Sequence, residues 1–319
     1  MKDFEFDVSI IIVNWNTRSV LQTCLRSVVS NLSGVSAELI VVDNGSTDGS
    51  PEMVSAEFPS VRLIANTDNR GFAAANNQGF QVARGKHVLL LNSDTEVLGD
   101  VIQKSLAYLE QYPQVGVMGC RVLNSDRSVQ LTCSQFPSLI NLGLLASGLS
   151  RFSRPKFCGR YQLRSWNRDS ERDVDTVTGC YMLVRREALD EVGTLDEDFF
   201  FYGEETDWCK RFIQAGWILR FAPVGEIIHH GSLSSRRCNH RRDLMLTSGL
   251  LRFHHKHGGP IPTAVAWVIL AVFCVLRSIY WTIHAAWSRT DYAIQRRGHF
   301  FHVLRDFKSV WPSPSAVRP

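Results

Sequence analysis

Three acidic side chains, Glu204, Glu205 and Asp207, fall within four residues at the start of a predicted helix over 204–216. Acids in a first helical turn interact favourably with the helix dipole, and this structural role accounts for one of them. Three such charges repel one another, and like charges at short range raise the pKa of one carboxyl group. A carboxylate with a raised pKa suits a general base, so this cluster is a candidate for proton transfer.

Other polar side chains lie at the ends of four short apolar runs. Apolar runs of strand length without alternation are typical of strands buried on both faces. Ligands of open parallel sheets bind at the carboxyl ends of the strands, so we expect these polar residues to face one ligand. They end the predicted strands 8–15, 38–43, 61–66 and 87–94, and are Asn14-Trp15-Asn16, Asp43-Asn44-Gly45-Ser46, Asn66 to Arg70 and Asn92-Ser93-Asp94.

The elements that must position these residues alternate between strand and helix. Apolar residues have helical spacing at 17–32, 72–84 and 99–112, and a fifth apolar strand follows at 115–123. This alternation predicts an α/β fold class, with a Rossmann-like, mostly parallel sheet and helices on both faces. No GxGxxG follows the first strand, which argues against a dinucleotide oxidoreductase, and the absence of GxxxxGKS or GxxxxGKT excludes a P-loop nucleotidase.

The pattern changes after residue 123. Residues 124–173 have only weak periodicity, and 176–189 is predicted to be a strand that enters a short helix. The stretches 217–223 and 225–231 are predicted to be two short closing strands.

Seven motifs together carry a family resemblance. In chain order they are VSIIIVNWN, ELIVVDNGSTDGS, NRGFAAANNQG, HVLLLNSDTEV, TGCYMLVRREAL, FFFYGEETDWCKR and IIHHGSLSS. Over residues 8–235 the chain resembles the family 2 inverting glycosyltransferases with the GT-A fold, nearest to the bacterial rhamnosyltransferase-like branch. The resemblance implies transfer of a sugar from a nucleoside diphosphate to a glycan or lipid-linked acceptor in cell-surface polysaccharide synthesis. The donor that it favours is dTDP-rhamnose.

The resemblance also assigns catalytic and metal-binding roles. The resemblance assigns the general base to Glu205. The family usually has an aspartate at this position, and because glutamate is longer, Glu204 stays an alternative. Asp207 belongs to the same acidic motif. The family's DxD motif corresponds to Asn92-Ser93-Asp94, so Asp94 keeps the role of holding Mg²⁺ or Mn²⁺, which take oxygen ligands and substrate phosphates. A cap of the following turn is the structural alternative for Asp94.

His229 is the further metal ligand that the resemblance implies. Imidazole suits Mn²⁺ better than Mg²⁺. The adjacent His230 would point to the opposite face of a strand, so only one of the two can serve.

The same resemblance places the nucleotide sugar. Asp43 would accept the imide N–H of uracil or thymine, although Asp-Asn-Gly-Ser also forms an Asx turn in any protein. Asn77 could instead hydrogen-bond within its own helix. The residues expected around the nucleotide sugar are Asn14, Asn16, Asp43, Asn69, Arg70, Asn77 and Ser93.

The C-terminal region differs in charge from the rest of the chain. From Arg236 onward there are 13 Lys and Arg against three Asp, a net charge of +10, whereas the preceding residues carry −6. The apolar run 261–276 meets Arg277 before it reaches the roughly 20 residues that a bilayer span needs. Trp, Arg and His at this spacing favour the membrane interface, with a single span or a tail packed on protein as alternatives.

The sequence therefore predicts two regions, a GT-A catalytic domain over 1–235 and a basic, amphipathic helical region over 236–319. The N-terminus has no apolar leader segment, so we expect an enzyme on the cytoplasmic face of the membrane, drawn to anionic lipid. A nucleic-acid partner is not expected, because it would explain the basic region but none of the strand-end motifs. The alternative function is a non-catalytic nucleotide-sugar or glycan-binding module that kept the fold.

Overall fold

A mixed sheet of nine strands occupies the centre of the first of two units into which the computed structural model divides. The model describes residues 4–231 and 240–312. The strands are β1 (Phe6–Asn14), β2 (Ala37–Asp43), β3 (Arg62–Ala65), β4 (Gly85–Asn92), β5 (Thr95–Val97), β6 (Val115–Leu123), β7 (Arg172–Asp173), β8 (Tyr181–Arg185) and β9 (Ile218–His229).

The helices follow the expected alternation in the first half of the chain and dominate its end. They are α1 (Arg18–Ser30), α2 (Ser50–Glu57), α3 (Phe72–Val82), α4 (Val101–Gln111), α5 (Leu139–Ser147), α6 (Arg186–Val192), α7 (Glu204–Gln214), α8 (His240–Gly258), α9 (Pro260–Ser288) and α10 (Asp291–Asp306).

Strands β3, β2, β1 and β4 are neighbours in that order and run parallel. Their apolar side chains form a core with α1, α2 and α4 in which β1 and β2 are almost entirely buried. Asn14 is paired in register with Asp43, and Val13 with Asn92. The polar ends of these strands therefore meet at one edge of the sheet, as the apolar runs predict.

The second half of the sheet is mixed rather than parallel. Strand β8 lies between β4 and β6 and runs antiparallel to both, while β6 and β9 are parallel. The two closing strands expected at 217–223 and 225–231 form the single strand β9. Pro223 is tolerated inside it because the pairing with β6 is interrupted between Phe221 and Glu226. On the other side, β7 pairs with Arg220 and Phe221 and β5 pairs with 227–229, so the missing N–H of Pro223 costs neither side a hydrogen bond.

The second unit consists of helices α5, α8, α9 and α10. Among the described residues it holds 136–165, 198–204 and 240–312, so two segments that precede residue 235 group with the C-terminal region. Its apolar core includes Leu142, Leu251, Leu270, Cys274 and Val303. The sequence did not indicate α5, whose start is capped by the Ser138 hydroxyl, which accepts the Asn141 N–H.

Helix α9 does not end at Arg277 but continues for eleven residues beyond it. The Arg277 guanidinium lies over the Phe273 ring, 5.2 Å from its centroid. Among the described residues, α9 is the one helix whose length and composition would allow it to cross a membrane.

Candidate active site

Asp94 and His229 are brought together at the carboxyl end of β4. The antiparallel pairing of β5 with β9 sets Thr95 opposite His229, which places the histidine next to the residue that precedes Thr95. His229 Nε2 lies 3.2 Å from Asp94 Oδ1, and Asp94 is 8% exposed. Two residues separated by 135 positions in the chain are thus in direct contact.

Gln130 fixes the orientation of the His229 ring. Its Oε1 accepts from His229 Nδ1 at 2.8 Å, while its Nε2 donates to Asn124 Oδ1 at 2.9 Å. Since the Gln130 oxygen can only accept, Nδ1 carries a ring proton, and Nε2 is the nitrogen that remains to bind a cation or a second proton. Asn92 Nδ2 lies 3.3 Å from the same Nε2.

The donor set at this point fits a divalent cation. A neutral imidazole nitrogen and a carboxylate oxygen face each other, and two electron-pair donors at this distance require a cation or a proton near them. Among residues 4–231 and 240–312, no three His, Cys, Asp or Glu side chains form a complete metal cage. The remaining ligands would therefore be oxygens of a bound diphosphate or water, as Mg²⁺ and Mn²⁺ commonly use.

The electrostatics of Asp94 agree with this arrangement. Burial by itself would raise the pKa of the Asp94 carboxyl, but a proton on His229 Nε2, in the place that a bound cation would take, outweighs burial through its hydrogen bond and charge and holds that pKa below its ordinary value. Asp94 is therefore ionised throughout the neutral pH range.

The His230 side chain points away from this pair, although its backbone N–H donates to the Asp94 carbonyl oxygen at 2.9 Å. Its Nδ1 is 2.9 Å from Ser125 Oγ and its Nε2 is 2.6 Å from Glu96 Oε1. Of the two adjacent histidines, only His229 is beside Asp94, as the alternation of side chains along a strand requires.

Glu205 is held by the turn that leads into β8. Its Oε1 accepts from the Gly179 backbone N–H at 3.3 Å. A Cβ atom added at Gly179 would collide with that same oxygen, so the close approach depends on glycine. Burial raises the pKa of Glu205, and the hydrogen bonds from its own backbone N–H and from that of Gly179 oppose the shift only in part.

One backbone path joins Glu205 to the end of β4. Gly179 contacts Glu205, and the next residue, Cys180, accepts the Asn92 backbone N–H at 3.3 Å. Asn92 is the last residue of β4, two positions before Asp94. The insertion of β8 beside β4 thus brings the acidic helix start and the Asp94–His229 pair to the same end of the sheet.

The other two acids of the cluster have different surroundings. Glu204 is 2% exposed at the first position of α7. Asp207 is fully buried, and its Oδ2 accepts from Arg211 Nε at 2.9 Å. Arg211 also donates to the Val192 and Thr194 carbonyls, so its ion pair with Asp207 anchors α7 to the preceding loop.

Asp43 sits in a preformed polar corner. Its Oδ1 accepts from Asn14 Nδ2 and its Oδ2 from the Ser46 backbone N–H, both at 2.8 Å. The second bond is the Asx turn that the local sequence also allows. An ionised carboxyl has about four acceptor positions, so Asp43 retains capacity for a ligand N–H.

The loop after β1 is tied to the loop after β2. Asn16 donates its backbone N–H to Ser46 Oγ and accepts the Thr47 N–H, each at 2.8 Å. Thr17 Oγ1 lies 3.2 Å from Ser93 Oγ, which links this loop to the Asp94 region. The Trp15 ring is 44% exposed at the same edge and is available to contact a ligand.

The remaining predicted residues divide between support and exposure. Asn69 Oδ1 accepts the Gly71 N–H and an amide proton of Asn44, so it stabilises its own turn. The Arg70 side chain is exposed. Asn77 is buried and is hydrogen-bonded to the Leu195 backbone and to Glu197.

Sequence reasoning missed Gln130 and Gly179, which hold the two chemical groups in place. Gln130 carried no signal, because its contact with His229 arises only from how β9 is placed in the sheet. Gly179 stands inside the motif TGCYMLVRREAL, so that motif contained the signal without revealing its partner.

The model of the family described as Glycosyl transferase family 2 matches residues 9–193. The N-acetylglucosaminyl-diphospho-decaprenol L-rhamnosyltransferase of Mycobacterium tuberculosis is 31% identical over 210 residues, which cover 62% of this chain and 68% of that protein.

Two solved structures share the fold. One is the mannosyltransferase PcManGT from Pyrobaculum calidifontis, in complex with GDP-Man and Mn²⁺. Its TM-score is 0.55 at 15% sequence identity, and the match covers 96% of this chain and 90% of the PcManGT chain. The other is GalNAc-T7 with UDP, GalNAc and Mn²⁺. Its TM-score is 0.57 at 16% sequence identity, and the match covers 80% of this chain and 48% of the GalNAc-T7 chain. The expected GT-A fold is confirmed.

Proposed function

Since the chain belongs to glycosyl transferase family 2, we propose that it transfers a sugar from a nucleoside diphosphate to an acceptor hydroxyl with inversion at the anomeric carbon. The observation that carries this proposal is the convergence of Glu205 with the Asp94–His229 pair through the turn at Gly179 and Cys180. The preformed corner around Asp43 at the same sheet edge supports a nucleotide donor.

The proposed reaction is a single displacement. Glu205 takes the proton of the acceptor hydroxyl while the acceptor oxygen bonds to the anomeric carbon, and the bond from that carbon to the diphosphate oxygen breaks. A base with a raised pKa has more affinity for this proton than an ordinary carboxylate, which strengthens general-base assistance. Glu204 is the alternative base, and Asp207 contributes by anchoring α7 through Arg211.

Asp94 and His229 are proposed to hold a divalent metal ion, Mg²⁺ or Mn²⁺. When bound, such an ion neutralises negative charge on the diphosphate leaving group. With Asn92 in place of the first acid of the DxD motif, the protein supplies one carboxylate and one imidazole here. Gln130 keeps the imidazole nitrogen directed at the site.

For the donor we propose dTDP-rhamnose. The Mycobacterium tuberculosis relative is an L-rhamnosyltransferase by name, and a carboxylate at Asp43 suits the imide N–H of thymine. The proposed contacts are Asp43 with the base, Arg70 with the diphosphate, and Asn14, Asn16, Asn69, Asn77 and Ser93 in the surrounding shell. Asn69 and Asn77 act through the loops that they stabilise.

The proposed acceptor is a glycan or lipid-linked hydroxyl at the cytoplasmic face of the membrane, in the synthesis of a cell-surface polysaccharide. The same relative acts on a decaprenol-linked sugar, and the basic region from Arg236 onward suits an anionic membrane. We propose that residues 1–235 carry catalysis and residues 236–319 carry membrane association. Within the first range, 136–165 and 198–204 group structurally with the second region.

A non-catalytic binding module is the second candidate, because the first acid of the DxD motif is absent. The surroundings of Glu205 favour catalysis instead. Placing a carboxyl where burial raises its pKa destabilises the folded protein at neutral pH, and a binding module has no use for it.

The experiment is a screen of nucleotide sugars with full-length protein, Mg²⁺ or Mn²⁺, and an N-acetylglucosaminyl-diphospho-polyprenol acceptor. We expect nucleoside diphosphate release and glycosylated lipid with dTDP-rhamnose, both abolished in Asp94→Asn and in excess EDTA. Donor binding without turnover for every sugar tested would favour the binding module. Full turnover in excess EDTA would contradict the metal assignment.

A further inference from the structure

Helix α9 has two faces with opposite surroundings. One side is buried among the helices of the second unit through Ala266, Leu270, Cys274 and Ala285. The other side exposes large apolar residues at intervals of three and four, which places them on one helical face. This outer stripe runs from Ile261 to Trp287 and includes Val268, Val272, Ile279 and Ile283, each at least 49% exposed.

No charged side chain interrupts the outer stripe. At about 100° per residue, Arg277, sixteen residues after Ile261, lies about 160° around the helix axis from Ile261. His284 lies about 140° around the axis from the same residue. The Arg277 guanidinium packs on Phe273, and His284 is hydrogen-bonded to Ser288. The charge that interrupts the apolar run in the sequence therefore lies off the exposed face.

The outer stripe is too long for an ordinary protein surface. At 1.5 Å per residue it extends about 39 Å, and exposed apolar patches of that size on soluble proteins mark interaction sites. Trp287, at its end, is 88% exposed.

The packing of α9 argues against a crossing helix. Its other side contacts α5, α8 and α10. These partners bring charge with them: Asp243 of α8 pairs with His299 of α10 at 2.8 Å, and Arg296 lies over the Trp281 ring. If α9 crossed a bilayer with these contacts intact, ionised groups would enter the hydrocarbon region, which costs several kcal/mol.

Exposed basic residues near the outer stripe favour an anionic membrane as its partner. Arg289 follows α9 directly and is exposed. On α10, exposed Arg297 lies between exposed Ile294 and Phe301 in the chain. Apolar and aromatic side chains with basic residues beside them are typical of helices that lie in the interface of an anionic membrane.

We propose that α9 lies in the plane of an anionic lipid membrane, with its outer stripe at the boundary of headgroups and acyl chains, and does not cross the bilayer. The occupant of the stripe is the lipid surface. The inference deepens the proposed function, which supplies the lipid-linked acceptor, but its tests do not depend on glycosyl transfer.

The first test is sedimentation of the full-length protein with vesicles of phosphatidylcholine and phosphatidylglycerol, and with phosphatidylcholine alone. We expect binding to the anionic vesicles, reduced roughly tenfold or more by Ile279→Glu, since the carboxylate would enter the apolar boundary. The control is Val29→Glu, which places the same charge on an exposed residue of α1 and should bind like the parent. Thermal unfolding checks that both variants are folded.

Failure of the parent protein to bind anionic vesicles would overturn the inference. A stable dimer in solution that Ile279→Glu dissociates, without vesicle binding, would also overturn it, because a second copy would then cover the stripe. Donor hydrolysis measured on the same samples reports separately on the proposed function.

The second test distinguishes lying from crossing. Single cysteines at His255 and Ser309, which are exposed and flank α9 in the chain, are introduced after Cys158 and Cys238 are changed to serine. In sealed inverted membrane vesicles, we expect an impermeant maleimide to label both positions before detergent is added. Labelling at position 309 only after detergent would mean that α9 spans the bilayer and would overturn the inference.

Discussion

At the level of single residues, the environment of Glu205 combines burial with two backbone donors, its own N–H and that of Gly179. The Gly179 N–H is the contact that fixes the carboxylate, and burial raises its pKa. A group held in this way is less stable ionised than it would be in water, but it is a stronger base. The consequences for activity and for stability therefore have opposite signs.

Glu205→Gln should lower sugar transfer by about 10²–10⁴-fold, the usual contribution of a general base, with donor affinity nearly unchanged. Because the pKa of Glu205 is higher in the folded than in the unfolded protein, the stability that this carboxyl contributes is lost as pH rises through the folded pKa. The neutral glutamine avoids this loss. Calorimetry should give the variant a higher Tm than the parent at pH 8, with the difference shrinking towards pH 4.

The matched control for Glu205→Gln is Glu52→Gln, at an exposed position in the first turn of α2. It should leave transfer unchanged and show no such gain in Tm at pH 8. An active Glu205→Gln together with an inactive Glu204→Gln would move the base to Glu204.

Gly179→Ala tests the contact itself. The added methyl group would meet the Glu205 carboxylate, which is the end of a flexible side chain and can move without unfolding the protein. We expect kcat to fall tenfold or more and the acidic limb of the pH–rate profile to shift, while donor Kd stays the same. Gly143→Ala, in open space on α5, is the control. An unchanged pH–rate profile would contradict the role of Gly179.

Gln130→Leu tests the support of the metal site. Without the acceptor at Nδ1, the His229 ring can turn and change its tautomer, so Mn²⁺ affinity with bound nucleoside diphosphate should fall about 10–100-fold. Titration calorimetry measures this independently of turnover. Gln22→Leu, which removes a distant side-chain contact with Glu57, should leave the affinity unchanged. Equal Mn²⁺ affinity in the parent and Gln130→Leu would remove Gln130 from the site.

Sequence patterns indicate candidate groups for chemistry but not the contacts that hold them in place. Asp94, His229 and Glu205 stand at the ends or starts of elements whose periodicity is clear, and the motifs assign them roles. Gln130 lies in a stretch with weak periodicity, and its 2.8 Å contact with His229 bridges 99 residues of chain. Such a contact depends on strand placement, which no local pattern encodes.

At the level of elements, strand β8 decides the architecture of the site. The apolar strands could be recognised from their composition, but not their order, because an apolar strand fits a buried position whether it runs parallel or antiparallel. The sequence therefore predicted a mostly parallel sheet, and the structure places the antiparallel strand β8 on the side of β4 opposite β1. Helix α5 escaped recognition because its apolar residues are nearly continuous and so lack the spacing of a helical face.

A close contact on α8 tests how the segment before the acids is positioned. Tyr202 and Gly203 have left-handed backbones, with φ of 72° and 99°, and a Cβ on Gly249 would collide with the Tyr202 carbonyl oxygen. Gly249→Ala should displace this segment, which continues directly into Glu204 and Glu205. We expect a fall in kcat of about tenfold with unchanged donor Kd.

Gly298→Ala is the matched control for Gly249→Ala. Gly298 is also inside a helix, but its Cβ would enter open space. The substitution should stabilise the protein by about 0.5–1 kcal/mol through helix propensity and leave kcat unchanged. Equal kcat in both variants would mean that the Gly249 contact does not position the acids.

At the level of the whole molecule, charge and apolar surface are concentrated in the C-terminal region. The net charge of +10 from Arg236 onward and the outer stripe of α9 both belong to it, whereas the preceding residues carry −6. The charge difference could be counted from the sequence. Arg277 was expected to interrupt the apolar surface, but it lies off the exposed face, because a linear run does not show which side of a helix a residue occupies. Membrane binding should consequently weaken as salt concentration rises, which vesicle sedimentation at increasing NaCl would measure.

The central claim is that this chain performs a single displacement at an anomeric carbon with Glu205 as base. The most direct measurement is the anomeric configuration of the product by NMR, with the full-length protein, dTDP-rhamnose, Mn²⁺ and a lipid-linked acceptor. We predict a configuration opposite to that of the donor in the parent protein, and product formation lowered by about 10²-fold or more in Glu205→Gln despite normal donor binding. A product that retains the donor configuration, or normal product formation by Glu205→Gln, would contradict it.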